Sequence, residues 1–350
     1  MEKLPILGFG IVGTGMVADF HARAIKEARG ARLVGCADQA EDRARRFAEK
    51  HGVEFMTGRI EDLVSRADIQ VICITTPSGA HLEPALAAIR AGKHLVVEKP
   101  LEITLERADA LLRAADRAGV RVAAILQNRF GAGAKMVKAA VDAGRFGRLV
   151  LCSAYVKWYR GAEYYRGGWH GTRALDGGGA LMNQGIHGVD LLQWFAGMPA
   201  EVSAWTARCV HGGIEAEDTV AAALRFANGG LGVIEASTAC YPGWARRIEI
   251  CGESGSAVLE DDRVAYWKFR EPLPGDEEVV SPVAGKPADS GAAAPDSIGH
   301  QRHLLQIQDM IDSLQTGRPL AVDGRAARNA VAVIRAIYDS ASTRMPVRLI

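Results

Sequence analysis

Residues 7–21 read Leu-Gly-Phe-Gly-Ile-Val-Gly-Thr-Gly-Met-Val-Ala-Asp-Phe-His. Leu7 to Val12 is a short apolar run with no polar alternation, the pattern of a strand buried on both faces. Glycines crowd where it stops, and from Met16 to Ala28 the residues suit a helix. Two glycine frames overlap: Gly8, Gly10, Gly13 and Gly13, Gly15, Ala18. The first leaves too little strand ahead of it. The second follows a full strand and opens a helix, where a phosphate-binding turn must sit. In that frame Gly13 permits the tight turn, Gly15 keeps a Cβ away from a pyrophosphate, and small Ala18 lets helix and strand pack closely. Met16 and Val17 then stand at the helix N-terminus that meets the phosphates. Asp38 lies 20 residues past Ala18, just after the apolar run Ala31 to Ala37. A carboxylate there hydrogen-bonds the adenosine ribose hydroxyls. A Gly-rich turn alone is as often a plain turn; turn, helix and acid together predict dinucleotide binding. The acid repels a 2′-phosphate and so favours NAD over NADP. Arg43, Arg45 and Arg46 could accept such a phosphate, but read equally well as a solvated helix face.

Working outward, strand-like and helix-like runs alternate through the first third. A helix is expected over Glu41 to His51, then strands at Val71 to Ile74, His94 to Val97 and Val120 to Ile125, with helices His81 to Ala91 and Thr104 to Ala118 between them. This is the order of a doubly wound parallel sheet, a Rossmann α/β domain over residues 1–127. Beyond it the runs Leu149 to Tyr155, Glu201 to Val210, Thr219 to Phe226, Gly230 to Ala239, Arg247 to Cys251, Ala257 to Glu260 and Val264 to Lys268 are separated by Gly, Asn or Asp turns. They predict a large, mostly antiparallel open sheet in an α+β domain over 128–350. Residues 271–298, rich in Pro, Gly, Ala and Ser, are expected to form an exposed loop. Two amphipathic helices, near 302–316 and 325–342, close the chain.

Composition excludes several alternatives. The 350 residues are too many for one ordinary domain. With 48% hydrophobic and 24% charged residues the chain is globular. Its 42 Lys+Arg against 41 Asp+Glu give no bulk attraction for nucleic acid or anionic lipid. Six scattered cysteines form no CxxC pair and no zinc spacing, so free thiols and no metal are expected. No apolar run reaches the length of a membrane span. A cytoplasmic protein is the expectation.

Two segments carry acid/base candidates. Glu98-Lys99-Pro100 follows a predicted strand, at the sheet edge where α/β proteins bind ligands. Asn183, His187 and Asp190 are spaced i, i+4 and i+7, on one face of a predicted helix. Taken singly, Lys99 reads as a surface lysine and His187 as a packing histidine. Together with Gly13-x-Gly15, with Thr75, Thr76, Pro77 and His81 after the predicted Val71 to Ile74 strand, and with the run Gly177 to Leu192, they resemble the glucose-fructose oxidoreductase / inositol dehydrogenase (Gfo/Idh/MocA) family. The similarity extends to Gly317-Arg318-Pro319 and Ile337 to Ala341. The resemblance implies a sugar or polyol substrate, an NAD(P) cofactor contacting Thr75, Thr76, Pro77, His81, Glu98, Lys99 and Gln127, and a Lys-His catalytic pair. Lys99 would exchange the substrate hydroxyl proton, His187 would position or polarise that oxygen, and Glu98 would face the nicotinamide ribose. It also implies a cis bond before Pro100 and a homodimer or homotetramer built on the open sheet. Many relatives carry Asp where this chain has Asn183; an amide orients a hydroxyl but holds no charge, which leaves Lys99 as the base, with His187 as the only possible second, and speaks against inositol as substrate. As a base near neutral pH, Lys99 must lose its proton more readily than free lysine, whose pKa is about 10.4.

Residues 155–169 hold Tyr155, Trp158, Tyr159, Tyr164, Tyr165 and Trp169, interleaved or followed by Arg160, Arg166, His170 and Arg173. Aromatic faces beside fork-shaped donors suit a sugar ring, although any one of these aromatics could equally pack between sheet and loop. Trp158, Tyr159, Tyr165, Trp169 and Arg173 are therefore candidate substrate contacts, with Asn128, Asn183, His187 and Lys99. Tyr241 and Arg246 are further candidates. His300 and His303 read as helix-start polar residues, no carboxylate being grouped with them in the sequence. Three functions remain open on these grounds: a sugar or polyol dehydrogenase, a ketosugar or anhydrosugar reductase or sugar-nucleotide 3-dehydrogenase, and a dinucleotide-binding sensor without turnover. Retention of both Lys99 and His187 argues for an enzyme.

Overall fold

The computed structural model describes residues 5–280 and 299–349. The chain divides into two compact units: Met1–Gln127 with Gly299–Arg328, and Asn128–Ile298 with Asn329–Ile350. The single C-terminal domain expected over 128–350 is thus interrupted, because one helical segment returns to the first unit.

In the first unit, β1 (Leu7–Val12), α1 (Met16–Glu27), β2 (Ala31–Ala37), α2 (Glu41–His51), β3 (Phe55–Thr57), α3 (Ile60–Val64), β4 (Val71–Ile74), α4 (Leu82–Arg90), β5 (His94–Val97), α5 (Leu105–Ala118) and β6 (Val122–Ala124) follow in order. The six strands are all parallel, in the order β3-β2-β1-β4-β5-β6, the Rossmann arrangement with its strand order reversing between β1 and β4. Buried apolar residues on every strand but β3 explain the unbroken hydrophobic runs: Phe9, Ile11, Cys73, Val96 and Ala123 are fully enclosed. The short β3 and α3 escaped the sequence reading, since runs of three and five residues carry too little periodicity to register. The last strand is also shorter than expected.

The second unit begins with α6 (Ala132–Asp142), β7 (Leu149–Lys157) and α7 (Ala162–Tyr165). Then come a π-helical turn (Leu181–Gly185), α8 (Ile186–Ala196), β8 (Pro199–Ala207), β9 (Thr219–Phe226), β10 (Leu231–Ser237), β11 (Arg247–Gly252), β12 (Gly255–Glu260) and β13 (Arg263–Phe269). The helix α9 (Gln301–Thr316) belongs to the first unit; α10 (Gly324–Thr343) begins there and ends in the second, followed by β14 (Val347–Arg348). The eight-stranded sheet runs β13-β12-β11-β7-β10-β9-β8-β14 and is antiparallel except for the β7–β10 pair. One face holds Cys152, Ala154, Val202, Val220, Ala222, Leu224, Ile234, Ile248 and Leu259, enclosed with Val189, Leu192 and Ile334. The alternation that predicted these strands is the alternation of enclosed and outward residues.

Of the expected loop over 271–298, residues 281–298 lie outside the described residues. The stretch before them is anchored: Asp276 accepts hydrogen bonds from the Arg145 guanidinium and from Trp267 Nε1. Among the described residues, no helix is long and apolar enough to cross a membrane.

Candidate active site

The nucleotide-binding end of the first unit follows from its glycines. Gly13 has φ of +88°, and a Cβ there would lie 2.8 Å from the Thr76 nitrogen and 2.9 Å from the Thr75 carbonyl. Only glycine fits where the β1 and β4 ends approach so closely. At Gly15 a Cβ would meet nothing within 4 Å, so the helix N-terminus opens onto space that backbone N–H groups can offer to a pyrophosphate. Met16 is exposed beside it and Ala18 fully buried. Gly8 and Gly10, the rejected frame, lie inside β1, where Cβ atoms would strike Asp68 and Ile72.

Asp38 is buried just past β2. Its Oδ2 accepts the Thr14 N–H and Oγ1–H at 2.9 and 3.0 Å; its Oδ1 accepts the Ala40 N–H and the Arg43 guanidinium at 2.9 and 2.8 Å. Burial alone would raise its pKa, but these donors outweigh it and hold the carboxyl below its ordinary value. Arg43, considered above as a phosphate acceptor, is engaged by the acid itself. Gln127 is buried, and its Oε1 has no hydrogen-bond partner among the described residues. An open helix N-terminus, a buried acid just past β2 and an orphaned amide oxygen fit a dinucleotide.

Thr75 donates to the Val12 and Gly13 carbonyls, and Thr76 to the Ala80 carbonyl, so the turn through Pro77 is tied from within. His81, expected at the cofactor, is buried with Nδ1 2.9 Å from the Pro100 carbonyl and Nε2 3.0 Å from the Thr76 carbonyl. Both ring nitrogens therefore face backbone oxygens, and His81 staples the turn after β4 to the turn after β5.

Glu98 and Lys99 leave the carboxyl end of β5, and the Lys99–Pro100 bond is cis, as the resemblance implied. Glu98 Oε1 lies 2.8 Å from His21 Nε2 and 3.4 Å from His303 Nε2, while Oε2 accepts the Lys99 N–H at 3.1 Å. Although burial opposes it, these hydrogen bonds hold Glu98 well below the usual carboxylate range. Both carboxylate oxygens are thus engaged inside the unit, not simply turned to a ribose as expected. His303, read as a helix-start residue without a carboxylate, sits on buried Glu98. The contact escaped sequence reading because 205 positions separate the two. The three ligand atoms lie within 4.8 Å of one another, close enough to suggest a metal. Histidines on a metal ordinarily donate their second nitrogen to an acceptor. Here Nδ1 of His21 and of His303 is buried with no partner among the described residues. Both Nε2 atoms face the one carboxylate, and burial lowers the His21 pKa.

In the second unit the helix carrying His187 is not regular as predicted: Leu181–Gly185 is π-helical, and α8 starts only at Ile186. Its first N–H groups are capped from afar. Glu217 Oε2 accepts Gly179 N–H, Oε1 accepts Leu181 N–H, and the Glu217 carbonyl accepts Ala180 N–H, at 2.9–3.0 Å. Tyr338 on α10 donates to Oε1 at 2.9 Å. Asn183 and His187 are both buried, and the His187 ring lies 6.1 Å from that of Trp158. Asp190, from the same predicted face, is held by Arg129 through two bonds of 2.9 and 2.6 Å, a buried structural pair. Asn128 is buried at the start of the unit.

The aromatic segment divides. Trp158 is buried; Tyr165 donates to Thr238 Oγ1 at 2.8 Å and, chiefly through burial, has its pKa pushed up to about 12. Tyr159 packs edge-on against exposed Tyr241, Trp169 lies against His170, and Arg173 is exposed. Arg246 is fully buried and donates to the Asp261 carbonyl, which makes it a core residue first. Sequence reasoning singled out His170 beside the aromatics but missed Asp176: Asn183 Nδ2 donates to Asp176 Oδ1 at 2.8 Å and lies 3.3 Å from His170 Nδ1.

Comparison with known proteins gives the class. Residues 7–126 match the model of an oxidoreductase family with an NAD-binding Rossmann fold, and residues 134–258 match the GFO/IDH/MocA C-terminal domain. The chain belongs to the Gfo/Idh/MocA family of NAD-binding oxidoreductases. It is similar to the WlbA dehydrogenase from Bordetella pertussis, solved in complex with NADH and UDP-GlcNAcA, at 33% identity with 99% of each chain covered and a TM-score of 0.87. It is 25% identical over 349 residues to the myo-inositol 2-dehydrogenase of Thermotoga maritima, covering 97% of this chain and 98% of that one. To the D-glucoside 3-dehydrogenase of Escherichia coli it is 25% identical over 364 residues, covering 98% and 97%.

Proposed function

We propose that the protein transfers hydride between NAD and a secondary hydroxyl or ketone of a sugar or sugar derivative, with Lys99 as the acid/base. The observation that carries this reading is the setting of Lys99: it leaves the carboxyl end of β5, with its backbone N–H fixed by a buried, ionised Glu98. That edge of a doubly wound sheet is where ligands bind. The nicotinamide, when bound, supplies the hydride acceptor or donor. Gly13, Gly15, Met16 and Val17 would hold the pyrophosphate, Asp38 the adenosine ribose, and Thr75 to Pro77 and Gln127 the nicotinamide half. In oxidation the Lys99 amine takes the hydroxyl proton as the C–H bond breaks; in reduction the same group returns it to the carbonyl oxygen. His187 positions or polarises that oxygen, Asn183 orients a neighbouring hydroxyl, and Trp158, Tyr159, Tyr165, Trp169, Arg173 and Asn128 are the candidate ring contacts.

A sugar nucleotide is the second reading within this chemistry. The similarity to a dehydrogenase solved with UDP-GlcNAcA spans 99% of the chain at 33% identity. The test is nicotinamide absorbance with NAD and then NADP, against a panel of sugars, polyols, inositols and sugar nucleotides. Lys99→Ala should lower turnover ~10²-fold or more while NAD still binds. Undiminished turnover in that variant would remove Lys99 from its role. Tight NAD binding with silence across the panel would favour the sensor.

A further inference from the structure

Three histidines are buried in the first unit, and their surroundings differ. Nε2 of His21 and of His303 faces Glu98, and Nδ1 of each has no partner among the described residues. His81, at the entry to α4, meets an acceptor at both nitrogens: the Pro100 carbonyl lies 2.9 Å from Nδ1 and the Thr76 carbonyl 3.0 Å from Nε2. The residue is 1% exposed, so bulk water replaces neither contact.

A backbone carbonyl only accepts hydrogen bonds, and a neutral imidazole carries a single N–H. Either neutral tautomer of His81 would therefore set one ring lone pair against a carbonyl oxygen at hydrogen-bond distance. The imidazolium, with an N–H at each nitrogen, satisfies both. The charges around it suit that form. Fully buried Glu102 accepts the Leu82 and Ile103 N–H groups and the Arg107 guanidinium, which also reaches Glu83 on α4. Glu98 is buried and ionised too, but it is held by two imidazoles and the Lys99 N–H rather than by a guanidinium. Burial is the strongest influence on His81 and pulls its pKa down, while Glu102, the Thr76 carbonyl, Glu98 and the Pro100 carbonyl pull it up. The two acceptors decide the balance. Losing the proton would leave a buried carbonyl facing a lone pair and take away a counter-charge from Glu98.

We infer that His81 is a buried imidazolium and a positioning residue for the NAD site: its two N–H groups tie the turn after β4 to the turn after β5, and its charge offsets that of Glu98. Both turns leave the carboxyl ends of their strands, the edge at which a doubly wound sheet binds its ligand. NAD binding is what this staple serves, whatever the sugar and whichever group is the base. Deprotonation opens one of the two ties and loosens the turns, so NAD binds less well as pH rises.

Histidine-selective nitrogen isotope labelling of the full-length protein reads the charge directly by NMR. Near about pH 8 an ordinary histidine, with a pKa of about 6.5, is neutral. One of the nine histidines should nevertheless show both ring nitrogens protonated, and that signal should vanish in His81→Gln, or in His81→Asn where the first variant does not fold. No such ring, or one that persists in the variant, overturns the assignment. Thermal melting gives a second reading. A histidine whose folded-state pKa lies above its unfolded value stabilises the fold below the unfolded value and loses that contribution as pH rises through the folded one. The parent should therefore melt further above His81→Gln at about pH 6 than at about pH 9. A gap that is equal or wider at the higher pH would mean a neutral ring and overturn the charge. By calorimetry, His81→Gln should bind NAD ~10-fold or more weakly than the parent, since the two turns are no longer held ready for it. Parental NAD affinity in the folded variant would overturn the positioning role.

Discussion

Asp38 shows how far a single residue could be read in advance. Its place after the second apolar run makes it the candidate for the ribose-side acid, and spacing along the chain suffices to single it out because the turn, the helix and the acid belong to consecutive elements. What the spacing did not reveal is that Thr14, Ala40 and Arg43 already donate to both of its oxygens. The Arg43 bond bears on cofactor choice: the acid expected to disfavour a 2′-phosphate also holds the guanidinium that could welcome one. Asp38→Ser should therefore remove the repulsion and release Arg43 together. The ratio of dissociation constants for NADP and NAD, measured by calorimetry, is expected to shift toward NADP by ~10-fold or more. An unchanged ratio would assign Arg43 to a solvated helix face alone. His303 is the opposite case. Nothing around it in the sequence indicates a carboxylate, since its partner Glu98 is brought to it only when α9 returns to the first unit.

The element that matters most is the turn from Gly177 into α8. The sequence announces a helix with His187 on it, but not its π-helical opening or its cap. Helix N-termini leave N–H groups without intrahelical partners, and local Ser, Thr, Asp or Asn side chains usually serve them. Here the service comes from Glu217, fixed in turn by Tyr338, so the capping acid lies 38 positions beyond Gly179 in sequence. Gly179 is required by that closeness: a Cβ there would lie 1.8 Å from the Glu217 carbonyl oxygen. Burial raises the Glu217 pKa against the pull of its donors, so losing one donor exposes the cost of the buried charge. Tyr338→Phe should destabilise the protein by ~1–3 kcal/mol in denaturant titration. With His187 no longer held as firmly, kcat should fall more than KM rises. A variant with parental stability and kcat would show that the clamp does not set the turn.

At the scale of the whole molecule, the second sheet has one enclosed face and one that carries Trp205 at 70% exposure, Leu231 at 54% and Leu151 at 45%. Trp205 stands opposite Ala221, and Leu231 opposite Leu151, so these residues belong to paired strands of one sheet. An apolar surface of this kind on a broad sheet gains by being covered. A second copy of the chain is the occupant that the sequence reading anticipated. Trp205→Glu is expected to shift the protein toward monomer in light scattering behind size exclusion, without altering its far-UV circular dichroism. An assembly unchanged by that substitution would place self-association elsewhere.

By itself the sequence determined the local and periodic features. These are the parallel sheet, from unbroken apolar runs; the glycine turn, from fixed offsets; and the antiparallel sheet, from alternation; Asp38, Lys99 and His187 stand out in it as candidates only. Such signals arise between residues a few positions apart, where backbone geometry alone converts spacing into placement. Only the tertiary structure decided what depends on distant segments meeting. It returned residues 299–328 to the first unit and put two imidazoles on Glu98. It brought Glu217 and Tyr338 to a turn that has no local cap, and set Asp176 against the Asn183 amide. Hydrogen bonds among buried polar groups are satisfied by whichever partner the fold brings near, and chain separation carries no trace of that choice.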